Sequence, residues 1–370
     1  MTEKNAHKRY RIDKFHAKSL NNNPLDSPSN RELYVYLPPT YFESEIRYPT
    51  IYFLHGYNGN NQNMTVVPRL EDNKNLPADL IPPEILEQID LERIPSYLLF
   101  DELITKGELA PFIFVQPDGS LHLPHKDGAR GLTGEVQTKG SFYINSPYSG
   151  NYEDYIIKDV IEYVDTNYRT ISDKQHRALM GGSMGGYGTL RLCINHPEKF
   201  IAGVSLSPGN ITPNPELLDW KLVTPVFEKL LGRETAEELG ASGWNDILDT
   251  IDLIFSKEVP LLPSIKRDKS GKIVGWDETA SNNWQKHDIN FMLRERSDAL
   301  KKVHLLLNCE STDEFGLTRG TQKIHETLAE LKIDHHFEIY SDPGTSLSPH
   351  MFGIAYNIIP GIHFCLQYFT

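Results

Sequence analysis

A serine held between small residues where a strand turns into a helix can act as a nucleophile. The segment Ala178-Leu179-Met180-Gly181-Gly182-Ser183-Met184-Gly185-Gly186-Tyr187-Gly188 has that form. A bare Gly-x-Ser-x-Gly would arise by chance in roughly one chain in ten of this size, so its weight comes from context. A short apolar run leads in and a helix start leads out, so the reversal puts Ser183 in a strained backbone conformation. That turn needs small neighbours at Gly181 and Gly185. It aims the hydroxyl out of the sheet and places the Met184 N–H at the helix start, where it can donate to a developing oxyanion. The competing reading is a flexible glycine turn with a helix-capping serine.

A serine hydroxyl attacks poorly unless an imidazole takes its proton, and that imidazole needs a carboxylate to fix its tautomer and stabilise its charged form. With a nucleophile at a strand-to-helix turn the chain order is Ser, acid, His. The late apolar run Val303 to Asn308 is followed by Cys309-Glu310-Ser311-Thr312-Asp313-Glu314-Phe315-Gly316, from which Asp313 is taken as the acid, with Glu310 and Glu314 as neighbours of the same type. The run His335 to Tyr340 is followed by a loop ending at His350, taken as the base ahead of a final helix. His363, within that helix, is the main competitor. His335 and His336 are adjacent on a strand, point to opposite faces and have no ligand partners at metal-site spacing. A second oxyanion donor is expected after the run Pro49 to Leu54, where His55-Gly56-Tyr57-Asn58-Gly59 offers the backbone N–H of Tyr57. His55, before a tight glycine turn, reads as a structural hydrogen-bonding residue.

The elements that must position these groups alternate. Strand signals lie at Arg31 to Leu37, Pro49 to Leu54, Phe112 to Gln116, Ala178 to Met180, Ile201 to Leu206, Val303 to Asn308 and His335 to Tyr340. Between them, Ile156, Ile157, Val160, Ile161 and Val164 form a helical stripe, and Thr318 to Leu331 forms another. That order predicts a single doubly wound α/β domain over residues 1–370, with ligands gathered at the carboxyl ends of a mostly parallel sheet. Residues 1–30 read as an N-terminal arm and edge strand, part of an edge hairpin with Arg31 to Leu37. The alternation fails between about 210 and 288, a stretch rich in Pro, Gly and charge that holds Trp220, Trp244, Trp276 and Trp284. An interruption of this length reads as an inserted lid over the site or as a packed helical insertion with its own small core.

Composition narrows the partners. Lys plus Arg number 37 against 50 Asp plus Glu, a formal charge of -13, which repels phosphate backbones and anionic membranes. Neither nucleic acid nor membrane is expected as a partner, and the sequence decides nothing between a monomer and a homo-oligomer. Cys193, Cys309 and Cys365 are few, distant and set in apolar runs, so no disulfide or zinc framework follows. The first residues are polar and basic without an apolar segment behind them, which gives a cytoplasmic expectation.

At this point the chain resembles the putative-esterase family of α/β-hydrolases, which includes feruloyl esterases, S-formylglutathione hydrolases, enterochelin esterases and mycolyl transferases. The resemblance is carried by Leu33 to Tyr41 (LYVYLPPTY), Tyr48 to Gly56 (YPTIYFLHG), Gln116-Pro117-Asp118-Gly119, Ser141 to Tyr155 (SFYINSPYSGNYEDY), Gly181 to Gly186 and Thr312 to Leu317. It implies an α/β-hydrolase fold, an esterase of small-molecule substrates with no metal or organic cofactor, and Ser183, Asp313 and His350 as its catalytic residues. Before His350 this chain has Pro343-Gly344-Thr345-Ser346-Leu347-Ser348-Pro349, a longer loop than the family pattern. Tyr148, in Asn145-Ser146-Pro147-Tyr148, and Trp284 are the candidate substrate-binding residues, a purely structural turn being the other reading of the first, with aromatic or hydrophobic acyl groups expected if the 210–288 segment covers the pocket. Acyl transfer to an alcohol, and a non-catalytic binding role on the same fold, remain the rival readings.

Overall fold

The structure, a computed structural model, describes residues 9–68, 93–124, 138–210, 246–255, 265–269, 273–341 and 349–370. Its centre is an eight-stranded sheet: β1 (Tyr10–His16), β2 (Asn30–Tyr36), β3 (Thr50–Leu54), β4 (Ile113–Pro117), β5 (Arg177–Gly182), β6 (Ala202–Leu206), β7 (His304–Glu310) and β8 (His336–Tyr340). The spatial order is β1-β2-β4-β3-β5-β6-β7-β8. β2 runs antiparallel to both β1 and β4, and every other neighbouring pair is parallel. This is the doubly wound, mostly parallel α/β-hydrolase arrangement that the alternation implies.

The central strands are buried along their whole length, which is why they read as unbroken apolar runs. Along β3, Tyr52 and Leu54 enter one core cluster while Ile51 and Phe53 enter the other, so each strand side chain serves a helical layer on its own face. On the first face packs a helical stretch from Tyr152 to Asn167, whose middle part, Tyr155–Val160, is wound wide as a π-helical turn. The stripe Ile156, Ile157, Val160, Ile161 and Val164 is its buried side. The second face is covered from the C-terminal end of the chain by Ile358–Leu366, through Ile358, Ile359, Ile362 and Phe364.

Within residues 1–30, Tyr10–His16 forms a strand, paired residue for residue with Asn30–Tyr36. Its exposed Arg11, Lys14 and His16 give it the composition of a polar lead, a common form for a solvated sheet edge. Of the 210–288 insertion, residues 246–255 form a helix, Ile265–Arg267 and Ile273–Trp276 pair as a small ribbon, and Glu278–Gln285 is a second helix. Trp220 and Trp244 lie outside the described residues. Among the described residues, no helix is long and apolar enough to cross a membrane.

Candidate active site

Ser183 sits where β5 ends and the helix Met184–Asn195 begins, with φ 57° and ψ −120°. A non-glycine residue holds such a conformation only when its surroundings over-determine it. Here they do: the Ser183 N–H bonds to the Leu206 carbonyl at 2.9 Å, and its own carbonyl accepts from the N–H groups of Tyr187 and Gly209 at 3.0 Å each. The two flanking glycines are required by space. A Cβ on Gly185 would lie 1.9 Å from the Leu54 carbonyl oxygen, and one on Gly181 would lie 2.4 Å from the Gly185 oxygen. Strand β3 and the turn therefore touch backbone to backbone. The Ser183 side chain does not cap its helix and stays half-buried, so the capping-serine reading fails.

His350 is the second residue of the helix Pro349–Tyr356, one step inside the element that the sequence placed after it. Its imidazole is 2% exposed, and Nδ1 lies 2.6 Å from Asp313 Oδ2. The other Asp313 oxygen accepts the N–H groups of Phe315 (3.0 Å) and Leu317 (3.3 Å), so the turn after β7 holds the carboxylate in place. Burial alone would push the His350 imidazole down, but the charge and hydrogen bond of Asp313, with Glu314 nearby, leave it above its ordinary value. With Nδ1 donating to a carboxylate, the neutral ring carries its free lone pair on Nε2, the state a general base requires.

The rival carboxylates have other partners. Glu310 accepts from the Thr312 N–H and hydroxyl and from the Ser311 hydroxyl, and so closes the turn. Glu314 Oε2 accepts the backbone N–H of His350 at 2.8 Å, anchoring the residue but not its ring. The sequence did not assign that role to Glu314, whose only signal is adjacency to Asp313. Phe315 adds an edge-on ring 4.9 Å from the imidazole. His363 is exposed on its helix, and His335 and His325 contact each other at 2.8 Å away from this cluster.

Ser183, Met184, His350 and Tyr57 all line one cavity at the carboxyl end of the sheet. Gly56 brings the loop after β3 against Ser183, since a Cβ there would lie 3.6 Å from that of the serine. His55 fixes this loop. Its Nε2 accepts the Gly119 N–H at 2.9 Å, which leaves Nδ1 to donate to the Gly56 carbonyl at 2.7 Å. Burial lowers its affinity for a proton, so the ring stays neutral and structural. Asp118, against His122 and buried Arg31, completes the support; burial alone would raise its carboxyl, yet the His122 hydrogen bond and the Arg31 charge hold it well below the carboxylate range.

The rest of the wall is mainly apolar, including Phe53, Phe142, Leu317 and Ile354, with Ile247 and Ile251 contributed by the insertion. Asn58, Asn63 and Asn210 supply amide groups. The two candidate substrate-binding residues lie elsewhere. Trp284 is fully buried with its ring against Phe255, and Tyr148 is tucked over Ser146, whose Oγ accepts its N–H at 3.1 Å; neither is on the cavity wall. Both are large aromatics that pack as core, because apolar area is more often spent on packing than on a ligand. Among the described residues, no group of three His, Cys, Asp or Glu side chains is arranged to hold a metal ion.

Comparison with known proteins agrees with this architecture. The chain is 28% identical over 212 residues to an endo-1,4-beta-xylanase/feruloyl esterase of Xylanibacter ruminicola, a match covering 56% of this chain and 23% of that protein. It thus spans about a quarter of that relative's length. Among solved structures, a ferulic acid esterase superposes with a TM-score of 0.57 at 17% identity, covering 98% of both chains. An S-formylglutathione hydrolase from Staphylococcus aureus superposes with a TM-score of 0.51 at 16% identity, covering 96% of this chain and 98% of that one. At such identities these two likenesses concern the fold. A family model described as putative esterase matches residues 99–346, about two thirds of the chain and inclusive of Ser183 and Asp313, and the chain belongs to that family.

Proposed function

We propose that this protein is a serine carboxylesterase that hydrolyses small-molecule esters through an acyl-enzyme on Ser183. One observation carries the reading: a strained, half-exposed serine shares a cavity with a buried imidazole whose far nitrogen is tied to a buried carboxylate. In the proposed cycle Ser183 Oγ attacks the ester carbonyl carbon while His350 Nε2 takes its proton, and the N–H groups of Met184 and Tyr57 hold the oxyanion. The tetrahedral intermediate collapses as His350 returns the proton to the leaving alcohol. Water then attacks the acyl-enzyme by the same proton route and releases the acid. Asp313 keeps the imidazole in the useful tautomer and offsets its charge.

The apolar wall supports an aromatic or hydrophobic acyl group, and the feruloyl esterases among the relatives make a hydroxycinnamoyl group the leading choice. The 210–288 insertion acts in this reading as the cover of the acyl pocket. The test is a panel of methyl and p-nitrophenyl esters differing in acyl length and aromaticity, assayed by release of acid. Turnover of hydroxycinnamate or medium-chain esters well above acetate is the expected result. Absence of hydrolysis across the panel would remove the proposal.

A further inference from the structure

The insertion's helix 246–255 is tied to the body of the protein along one face, at intervals of four residues. Asp246 Oδ1 lies 2.7 Å from Lys139 Nζ, in a pair with both side chains nearly buried. Thr250 Oγ1 accepts the Tyr57 phenol at 2.7 Å, and in turn donates to the Asp246 carbonyl at 2.8 Å. The Ile254 carbonyl accepts the Ser146 hydroxyl at 2.9 Å. Residues i, i+4 and i+8 share one side of a helix, so these three attachments form a single seam. One position along, Ile247 and Ile251 reach the cavity wall, and Phe255 closes the helix against the Phe142 ring at 5.9 Å.

The middle attachment lands on the side chain of the residue whose backbone N–H faces the oxyanion in the esterase reading. The Tyr57 phenol is kept protonated by burial and by the nearby Asp246 carboxylate, so it is a donor; Thr250 is its near acceptor at 2.7 Å, with the Asp246 carbonyl and carboxylate farther off at 3.4 Å. At its other end the same residue joins the Gly56 carbonyl that His55 holds. The Gly56–Tyr57 peptide is thereby fixed from both sides, by His55 from the sheet and by Thr250 from the insertion.

We propose that helix 246–255 is a fixed positioning and specificity element: Thr250 anchors Tyr57 and so aims its N–H, while Ile247 and Ile251 set the shape of the acyl pocket. Thr250 and Tyr57's phenol are positioning groups that act through the Tyr57 backbone. This rests on the serine-esterase reading and adds to it the insertion's part in catalysis.

The experiment compares Thr250→Val, which removes the hydroxyl at nearly constant shape, with Thr250→Ser, which keeps it, and with Tyr57→Phe. All are assayed as the full chain on one p-nitrophenyl ester, with thermal unfolding followed in parallel. Loss of one oxyanion donor lowers turnover by about a hundredfold or more, so loosening one is expected to lower kcat about tenfold. Thr250→Val and Tyr57→Phe should both show that loss with KM little changed, Thr250→Ser should restore most of it, and the Val/Phe double variant should be no worse than either single. In addition, Ile251→Ala should move the acyl-length optimum toward larger groups. Valine and serine variants with equal kcat, additive losses in the double variant, or an unmoved acyl optimum would overturn the proposal. Wild-type protein that neither hydrolyses esters nor reacts with a fluorophosphonate would instead overturn the esterase reading itself.

Discussion

Asp313→Asn isolates the role given to the carboxylate, because the structure dictates how the amide must sit. Asp313 Oδ1 accepts two backbone N–H groups, from Phe315 and Leu317, while Oδ2 faces His350 Nδ1 at 2.6 Å and takes a weak contact from the Cys309 thiol at 3.7 Å. The side chain is fully buried, so an unsatisfied pair of N–H groups would be costly, and the amide oxygen takes the Oδ1 position. The amide nitrogen then faces Nδ1. Donor meets donor unless the imidazole moves its proton to Nε2, and that is the atom required to take the serine proton. Loss of the correct tautomer lowers kcat by about 10⁴, equivalent to roughly 5 kcal/mol of barrier. The assay is steady-state hydrolysis of a p-nitrophenyl ester, with near-UV circular dichroism to show that the fold persists. Glu310→Gln is the matched control, since Glu310 serves Ser311 and Thr312 and its variant should keep most of the activity. An Asp313→Asn protein within tenfold of wild type, or a Glu310→Gln protein that loses as much, would refute the assignment.

Three other outcomes follow from the same structure. Gly185→Ala places a methyl 1.9 Å from the Leu54 oxygen, which must part β3 from the turn; a loss of about 1–3 kcal/mol in urea denaturation and collapse of turnover are expected, and wild-type values would contradict the packing. His350 is held above its ordinary value of 6.5, so kcat/KM should fall as pH drops through a value above 6.5, whereas a flat profile from pH 5 to 9 would count against it as the base. The same raised value contributes stability that is complete below the unfolded value and is lost as pH rises through the folded one, opposite in sense to the activity. His287, pushed down to about 3 by burial and by Arg191, works the other way: its contribution is complete above 6.5 and erodes as pH falls toward 3. His287→Gln should therefore lose less stability than wild type between pH 7 and 5, as read by urea midpoints, and an equal loss would exclude it as the source.

The parts of the site that are local in sequence were the legible ones. The glycines around Ser183 announce a tight turn, and the contacts of Gly181 and Gly185 give the steric reason. Asp313 and His350 could be placed because each follows a strand signal and the chain order is constrained by the fold. Glu310 is nearer the strand end in sequence than Asp313, but the structure turns its carboxylate back on its own loop. What the sequence could not give is the direction in which a side chain packs. Trp284 and Tyr148 are aromatic and close to the right segments, yet they face the core. The contact between Tyr57 and Thr250 joins residues 193 positions apart, and no periodicity in either segment anticipates it. For the edge strand within residues 1–30 the bounds Tyr10–His16 were not legible, because a solvated edge carries the charges of a polar tail.

The central claim is that Ser183 Oγ is the nucleophile, sharpened by His350. Incubation with a fluorophosphonate, followed by mass spectrometry of the peptide containing Ala178 to Gly188, tests it directly. A single stoichiometric adduct on Ser183, absent from Ser183→Ala and strongly slowed in His350→Ala, is the predicted result. An unmodified Ser183 in active protein, or labelling of another serine at equal rate, would contradict it.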